Sequence, residues 1–199
     1  MPKIDCIVVD WGTSNRRAWA LGRDGAVVDE RHDDQGLLAI IDRQFPASLQ
    51  QFCGDWVTLE RAQPVIMSGM VGSKLGWQEV PYQPTPVALH DFGKHLTRID
   101  ETLAGPFWAG RCWIAPGVAD KSALQPDVMR GEECQLLGAL LQSTAEDGIF
   151  ILPGTHAKWV RVEAGRIVSF RTYMTGEIFG LLRKSGTLSQ LMTGDTADD

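Results

Sequence analysis

Short apolar runs alternate with polar turns along the chain, and this pattern predicts many strands and a few helices. The runs that predict strands are residues 4–9, 17–21, 26–31, 64–67, 111–115, 149–152, 157–162 and 166–173. Apolar residues recur at helical spacing over residues 46–59, 91–103, 130–142 and 177–183. Residues 76–88 contain three prolines and predict an irregular loop, and residues 116–126 predict a junction. This mixture indicates an α/β fold.

Two stretches of the chain share one pattern, which suggests an internal duplication. Residues 7–31 read IVVDWGTSNRRAWALGRDGAVVDER, and residues 149–173 read IFILPGTHAKWVRVEAGRIVSFRTY. Each stretch is an apolar strand, a Gly-Thr turn, a strand with a basic residue and a tryptophan, a glycine turn and a third strand. Chance similarity between two β-meanders is the alternative explanation. The duplication predicts a first domain over residues 1–120 and a second, incomplete copy over residues 121–199.

Composition and charge narrow the possible partners. The chain has 199 residues and a formal net charge of −6, which argues against nucleic acid as the main partner because phosphate backbones select basic surfaces. No apolar run is long enough to span a membrane, and the N-terminus lacks the apolar region of a signal peptide. The four cysteines are far apart and form no C-x-x-C pair, so we expect reduced thiols in a cytoplasmic protein.

Both repeats contain a Gly-Thr turn whose residue types suit a phosphate group. Glycine lets the backbone approach an anion closely, and successive N–H groups then form a concave binding site. The candidate phosphate-binding residues of the first turn are Gly12, Thr13, Ser14, Asn15, and Arg16 or Arg17, and those of the second turn are Gly154, Thr155, His156 and Lys158. Plain hairpin turns are the alternative interpretation. The first turn joins two strands, so it is not a Walker P-loop.

Three further sets of residues are candidates for chemistry. Asp10 precedes the first turn and would repel phosphate directly, so we expect it to act through Mg²⁺, often with water between them. Glu132 and Glu133 open a predicted helix, where an acid can serve as a general base or simply complement the helix dipole. The glycine-rich stretch at 68–73 predicts a substrate wall or an unoccupied tight turn. Its candidate substrate residues are Ser68, Gly69, Met70 and Ser73.

Taken together, these motifs resemble one known family. The segment VVDWGTSNRRAW resembles the first phosphate loop of the actin–hexokinase–heat-shock-protein ATPase superfamily, and ILPGTHAKW resembles its second phosphate loop. With MSGMVGSKLGW, VMRGEECQLLGA and FRTYMTGE, they resemble the 2-dehydro-3-deoxygalactonokinase family over about residues 5–185. More distantly, the chain is similar to glycerol and xylulose kinases, in which Gly-Asp-Gln at a helix start supplies the base. Gly131-Glu132-Glu133 occupies that place here, and Glu132 is the preferred base, with Glu133 as its alternative.

The resemblance implies a fold, a reaction and two cofactors. The implied fold is α/β and ribonuclease-H-like, with a mixed sheet, flanking helices and a duplicated domain around a cleft. The implied reaction uses ATP and Mg²⁺ to phosphorylate the 6-hydroxyl of a small sugar acid, 2-dehydro-3-deoxy-D-galactonate. Family members run longer and end with a glycine-rich adenosine loop, which nothing after residue 185 resembles. We therefore expect a truncated second domain without efficient kinase activity by itself, or a non-catalytic fragment that binds phosphate and sugar acid.

Overall fold

The structure is a computed structural model that describes residues 3–57, 63–121, 126–143, 146–185 and 187–190. Over these residues the strands are β1 (Cys6–Trp11), β2 (Arg16–Leu21), β3 (Val27–Asp33), β4 (Val65–Gly69), β5 (Gln83–Pro84), β6 (Val87–Ala88), β7 (Thr97–Arg98), β8 (Cys112–Ile114), β9 (Val118–Asp120), β10 (Asp127–Met129), β11 (Gly148–Leu152), β12 (Ala157–Glu163) and β13 (Arg166–Tyr173). The α-helices in the same ranges are α1 (Phe45–Cys53), α2 (Glu101–Trp108), α3 (Glu132–Gln142) and α4 (Thr175–Ser185). The predicted α/β class is confirmed.

The largest sheet has six strands in the order β3-β2-β1-β4-β8-β7. Strands β1, β4 and β8 run parallel, whereas β2, β3 and β7 pair antiparallel with their neighbours. In β1, Ile7, Val9 and Trp11 are fully buried in the first hydrophobic core. Because successive side chains of a strand point to opposite faces, Asp10 lies on the face away from these three residues.

The second large sheet has the order β11-β12-β13-β6. Its first three strands form an antiparallel meander, and β6 reaches the edge of β13 from much earlier in the chain. A small sheet, β10-β9-β5, is the third. Buried residues of β12, β13 and α3 contribute to a second hydrophobic core, among them Val160, Val162, Ile167, Phe170 and Leu136. Each meander therefore contributes to a core of its own.

The helix predicted over residues 91–103 is wrong. A 3-10 helix at Leu89–His95, then β7, then the start of α2 occupy these residues. The Asp100 side chain caps α2 by accepting a hydrogen bond from the Thr102 backbone N–H at 2.8 Å. Phe92 packs in the second core and Ile99 in the first. The helix-like spacing therefore comes from two separate packing surfaces and not from one helical face.

The remaining predictions agree more closely with the structure, except that residues 76–88, predicted as an irregular loop, contain β5 and β6, which pair with the distant strands β9 and β13. Every predicted strand is present, with ends within two residues of those expected. Helix α1 ends at Cys53 and a 3-10 helix, Gly54–Trp56, follows, while residues 58–62 lie outside the described ranges. The predicted junction contains the buried strand β9, and its residues 122–125 also lie outside those ranges. None of the helices described here combines the length and apolarity needed to cross a membrane.

Candidate active site

The first loop follows β1 at the edge where the parallel strands end. Asp10 lies opposite Ser68 and Trp11 opposite Gly69 in the pairing of β1 with β4. Ligands of open α/β sheets bind outside the carboxyl ends of such strands. The sheet therefore brings Asp10 and the predicted substrate wall to the same edge.

Backbone hydrogen bonds hold the first loop, residues 12–15, in a tight turn. The Gly12 N–H donates to the Asn15 carbonyl at 2.9 Å, and the Leu37 N–H donates to the Gly12 carbonyl at 2.9 Å. The Gly36 N–H donates to the Ser14 carbonyl at 3.1 Å, and a Cβ at Gly36 would lie only 2.3 Å from the Ser14 carbonyl carbon. Segment 36–38 thus secures the loop carbonyls, and the side chains of residues 13–15 are exposed to solvent.

The two arginines after the first loop have different surroundings. Arg16 is buried, and its guanidinium donates to both oxygens of Asp33 at 2.8 Å and lies 4.1 Å above the Phe52 ring. Arg17 is exposed and lies opposite Asp10 in the pairing of β1 with β2. Of the two candidates, Arg17 is therefore the one available to a ligand.

The second loop, residues 153–156, is held by the start of α4. The Glu177 N–H donates to the Thr155 carbonyl at 3.0 Å, and Glu177 Oε2 lies 2.6 Å from His156 Nε2. A Cβ at Gly176 would lie 2.5 Å from the Gly154 carbonyl oxygen, so the helix start packs directly on the loop backbone. The position of α4 thus fixes the second loop.

Two glycines with positive φ let a third segment reach Asp10. Gly131, at the start of α3, has φ 111°, and a Cβ there would lie 3.3 Å from the Gly69 Cα and 4.0 Å from Asp10 Oδ1. Gly69 has φ 89°, and a Cβ there would lie 2.8 Å from the Trp11 carbonyl oxygen. Residues with side chains adopt this backbone region rarely, so these close approaches favour glycine at both positions.

The two acids at the start of α3 differ in environment. Glu133 is fully buried, and both of its carboxyl oxygens accept hydrogen bonds from the Gly131 N–H, at 2.8 and 2.9 Å. Burial raises the pKa of the Glu133 carboxyl to about 8, and the negative charge of Glu132 adds to this effect. Glu132 is partly exposed, accepts a hydrogen bond from the Arg130 N–H at 3.0 Å, and lies 4.0 Å from Lys158 Nζ.

Two adjoining cavities open between the loops. The loop cavity, ≈ 420 Å³, is lined by Asp10, Gly12, Thr13, Ser14, Asn15, Arg17, Gln135 and Thr155. The inner cavity, ≈ 310 Å³, is lined by Asp10, Gly12, Thr13, Gly69, Met70, Arg130, Gly131, Glu132, Gln135, Leu152, Pro153, Gly154, Thr155 and His156. Both loops, Asp10, Glu132 and part of the predicted substrate wall therefore line the inner cavity, which shares five lining residues with the loop cavity.

Besides Arg16, four predicted site residues do not line these cavities. Ser68 and Glu133 are buried, and Ser73 Oγ is a buried hydroxyl without a hydrogen-bond partner in the described chain. Lys158 is also buried, and its Nζ donates to the Val128 carbonyl at 3.0 Å and to Thr172 Oγ1 at 2.8 Å.

The structure also adds lining residues that the sequence did not single out, chiefly Arg130 and Gln135. Gln135 follows Glu132 by three residues on α3, a helical spacing that could have indicated it. No comparable signal in the sequence points to Arg130.

The environment of Asp10 suits a cation that arrives with phosphate. Burial raises the pKa of Asp10, and the positive charge of Arg17 opposes that rise. Within the described ranges, no group of three or more His, Cys, Asp or Glu residues is arranged to hold a metal ion. Mg²⁺ is commonly held by one or two carboxylates together with substrate phosphates, and a single Asp beside two loops fits that mode.

Comparisons with known proteins agree on one family. The family described as 2-keto-3-deoxy-galactonokinase matches residues 10–199. The "Probable 2-dehydro-3-deoxygalactonokinase DgoK1" of Rhizobium meliloti (strain 1021) is 39% identical over 181 residues, which are 91% of this chain and 57% of that protein. The 2-dehydro-3-deoxygalactonokinase of Escherichia coli (strain K12) is 36% identical over 176 residues, which are 88% of this chain and 56% of that protein.

A solved structure agrees with these matches. A crystal structure from Sinorhizobium meliloti, assigned to the same kinase, has a TM-score of 0.81 and 37% sequence identity. The aligned region is 93% of this chain and 59% of the chain in that crystal structure. The chain thus spans little more than half the length of the relatives it matches. With the matched residues running from Asp10 to the end of the chain, the protein belongs to the 2-keto-3-deoxy-galactonokinase family.

Proposed function

We propose that the protein is an ATP-dependent sugar-acid kinase that phosphorylates the 6-hydroxyl of 2-dehydro-3-deoxy-D-galactonate. The observation that carries the proposal is that both loops, Asp10 and Glu132 line the inner cavity. Phosphoryl transfer requires little covalent chemistry from the protein. It depends on positioning the reactants and stabilising charge, which this arrangement can supply. The names of the relatives support the same reaction.

The two loops are assigned to the phosphates of ATP. Gly12, Thr13, Ser14, Asn15 and Arg17 act from the first side, where backbone N–H groups, hydroxyls and a guanidinium suit an anion. Gly154, Thr155 and His156 act from the second side. The same loops border the loop cavity or the inner cavity, so one nucleotide can contact both.

Asp10 is assigned to the magnesium ion of Mg²⁺–ATP. When bound, this ion neutralises the charge that develops on the phosphates during transfer. Asp10 would hold it either directly or through water, and Arg17 would balance the carboxylate when the site is empty of nucleotide. Gly131 and Gly69 keep the surrounding backbone close to the Asp10 carboxylate.

Glu132 is assigned as the general base. Glu132 lines the inner cavity and is partly exposed. Glu133 is fully buried, and both of its carboxyl oxygens accept from the Gly131 N–H. A base must reach the proton it removes, so the geometry favours Glu132. Gly69 and Met70 are assigned to the wall that holds the sugar acid, and Ser68 and Ser73 to its support.

The fold is proposed to be a duplicated ribonuclease-H-like one, with domains over residues 1–120 and 121–199. The support is that β11–β12–β13 repeats the antiparallel meander of β1–β2–β3, with a phosphate loop at the same place in each. Each meander also contributes to its own hydrophobic core.

The test is a coupled ADP-release assay on the complete gene product that carries this chain. ATP, Mg²⁺ and a series of keto-deoxy sugar acids are supplied, and the phosphorylated product is identified by mass spectrometry and NMR. We expect ADP release that depends on 2-dehydro-3-deoxy-D-galactonate, with the phosphate on its 6-oxygen. Binding of the sugar acid without any ADP release would instead favour a non-catalytic binding protein.

A further inference from the structure

Arg130 is a buried cation whose hydrogen-bonding capacity is largely unused. It is 9% exposed, and its Nη2 donates to the Val80 carbonyl at 2.7 Å. Its Nε and Nη1 have no hydrogen-bond partner in the described part of the chain. An arginine stays charged at any ordinary pH, and buried polar groups in proteins are nearly always paired. These two donors therefore call for a partner of opposite charge.

The neighbours of Arg130 fix the plane of its guanidinium without neutralising it. The guanidinium carbon lies 4.2 Å above the Tyr82 ring, and a Cβ at Gly72 would lie 2.8 Å from Nη1. No carboxylate of the described residues lies within ion-pair distance of this side chain, although other arginines of the chain, such as Arg16 and Arg171, pair with aspartates. Arg130 is thus held by a ring and a carbonyl, and its electrostatic interaction with the Glu133 carboxyl acts without an ion pair.

The same side chain lines the inner cavity. Asp10 and Glu132 line this cavity too, and two carboxylates would repel an anionic substrate unless a cation held its charged group elsewhere. The carboxylate and the 6-hydroxyl of the proposed substrate lie at opposite ends of its carbon chain. While Glu132 faces the 6-hydroxyl of the substrate, a cation is therefore needed at the other end of the substrate to bind its carboxylate.

We propose that Arg130 binds the carboxylate of the sugar-acid substrate and thereby selects acids over neutral sugars. The inference rests on the proposed function and names the residue that recognises the carboxylate of the substrate. Nε and Nη1 are shielded from solvent in the structure, so binding of the carboxylate requires the guanidinium to shift from its place on the Tyr82 ring toward the inner cavity. A charge-assisted hydrogen bond then satisfies donors that a neutral sugar would leave unpaired, and this difference is the source of selectivity.

The experiment compares 2-dehydro-3-deoxy-D-galactonate with its C1 carboxamide, a neutral analogue of similar shape. The kcat/KM of each is measured for the complete gene product and for the variants Arg130→Gln, Arg130→Lys and Arg161→Gln. Arg161 is an exposed arginine on β12 that pairs with Glu163 and lines neither the inner cavity nor the loop cavity, and it serves as the matched control. Circular dichroism and the melting temperature establish that each variant is folded.

We expect the unchanged protein to prefer the acid strongly. Arg130→Gln should lower kcat/KM for the acid at least about 30-fold, mainly through KM, while the value for the carboxamide and the KM for ATP change little. Arg130→Lys should fall between, because it keeps the charge but loses the planar donors. Arg161→Gln should behave as the unchanged protein does.

Three outcomes would overturn the inference. The first is equal use of acid and carboxamide by the unchanged protein, a result that needs no variant. The second is a folded Arg130→Gln protein that loses activity equally on both substrates, which would make Arg130 a packing residue. The third is a protein that releases no ADP with any keto-deoxy sugar acid, and only this outcome also removes the proposed function.

Discussion

At the scale of single residues, the pleat of a strand decides which side chain meets the ligand. When residues 7–31 are aligned with residues 149–173, Arg16 and Lys158 occupy the same place, and both are buried with internal partners. Arg17, one residue further on, faces the loop cavity. The sequence left Arg16 as an alternative to Arg17 because a short strand does not reveal which of its faces is covered.

Asp10→Asn should abolish most turnover and leave the fold intact. The asparagine keeps the size of the side chain but removes the charge that the proposed Mg²⁺–ATP site needs. We expect kcat to fall by about 10²-fold or more, in line with the loss of a group that stabilises charge in the transition state. Steady-state kinetics at saturating Mg²⁺ measure the effect. A kcat close to that of the unchanged protein would exclude the assigned role.

Glu132→Gln and Glu133→Gln should affect activity unequally. Loss of a general base typically costs about 10²–10⁴-fold in rate, and Glu132 is the acid that faces the cavity. Glu133→Gln should cost much less, because the amide oxygen of the introduced glutamine can still accept from the Gly131 N–H. The kcat of both variants is compared on the same substrate. A larger loss in Glu133→Gln would reverse the assignment, and no loss in either would leave the pair as a helix-dipole cap.

Glu133 should also make stability depend on pH. Its pKa rises from the ordinary value of 4.5 to about 8 on folding, so the folded protein binds this proton more tightly than the unfolded chain does. Its contribution is fully present below pH 4.5 and is lost as the pH rises toward 8, by up to about 1.4 kcal/mol per pH unit. Urea unfolding between these pH values should show the free energy of unfolding of the unchanged protein falling relative to Glu133→Gln. Parallel curves would contradict the prediction.

At the scale of elements, the site is built from turns and helix starts. The two Gly-Thr loops could be predicted because an apolar run followed by Gly-Thr is a local signal. The contact of Gly131 with Gly69 could not, because it joins the start of α3 to the end of β4 through the tertiary fold. Arg130 was missed for the same reason, since its partner Val80 lies fifty residues earlier in a segment predicted only as a loop.

The packing of α4 on the second loop gives a prediction with an internal control. A Cβ at Gly176 would lie 2.5 Å from the Gly154 carbonyl oxygen, so Gly176→Ala must displace either the helix or the loop. We expect a higher KM for ATP. Gly180 lies in the same helix with no atom within 4 Å of an added Cβ, so Gly180→Ala should stabilise the protein by about 0.5–1 kcal/mol and leave the KM for ATP unchanged. Kinetics and thermal melting measure both, and equal effects would argue against loop positioning by α4.

At the scale of the whole molecule, order along the chain and order in space diverge. Strand β6 belongs to the first half of the chain, yet it completes the sheet formed by β11, β12 and β13. Phe92 likewise packs in the second core, whereas Ile99 packs in the first. Their apolar spacing resembled one helix, but three elements occupy this stretch. Local patterns predicted eight of the thirteen strands in the described ranges and missed the short β5, β6, β7, β9 and β10. They also carry no information on which core a residue joins.

The reach of β6 into the second sheet has a consequence for how the protein can be divided. If the chain were cut between β9 and β10, two strand pairings would still join the pieces: β6 with β13, and β9 with β10, where Asp120 lies opposite Asp127. The ion pair of Arg171 with Asp120 would join them as well. Residues 1–121 and the segment from residue 126 onward should therefore complement each other as a split protein. Co-expression with an affinity tag on the first piece should retain the second during purification. Recovery of the tagged piece alone would mean that these contacts hold only while the two halves share one backbone.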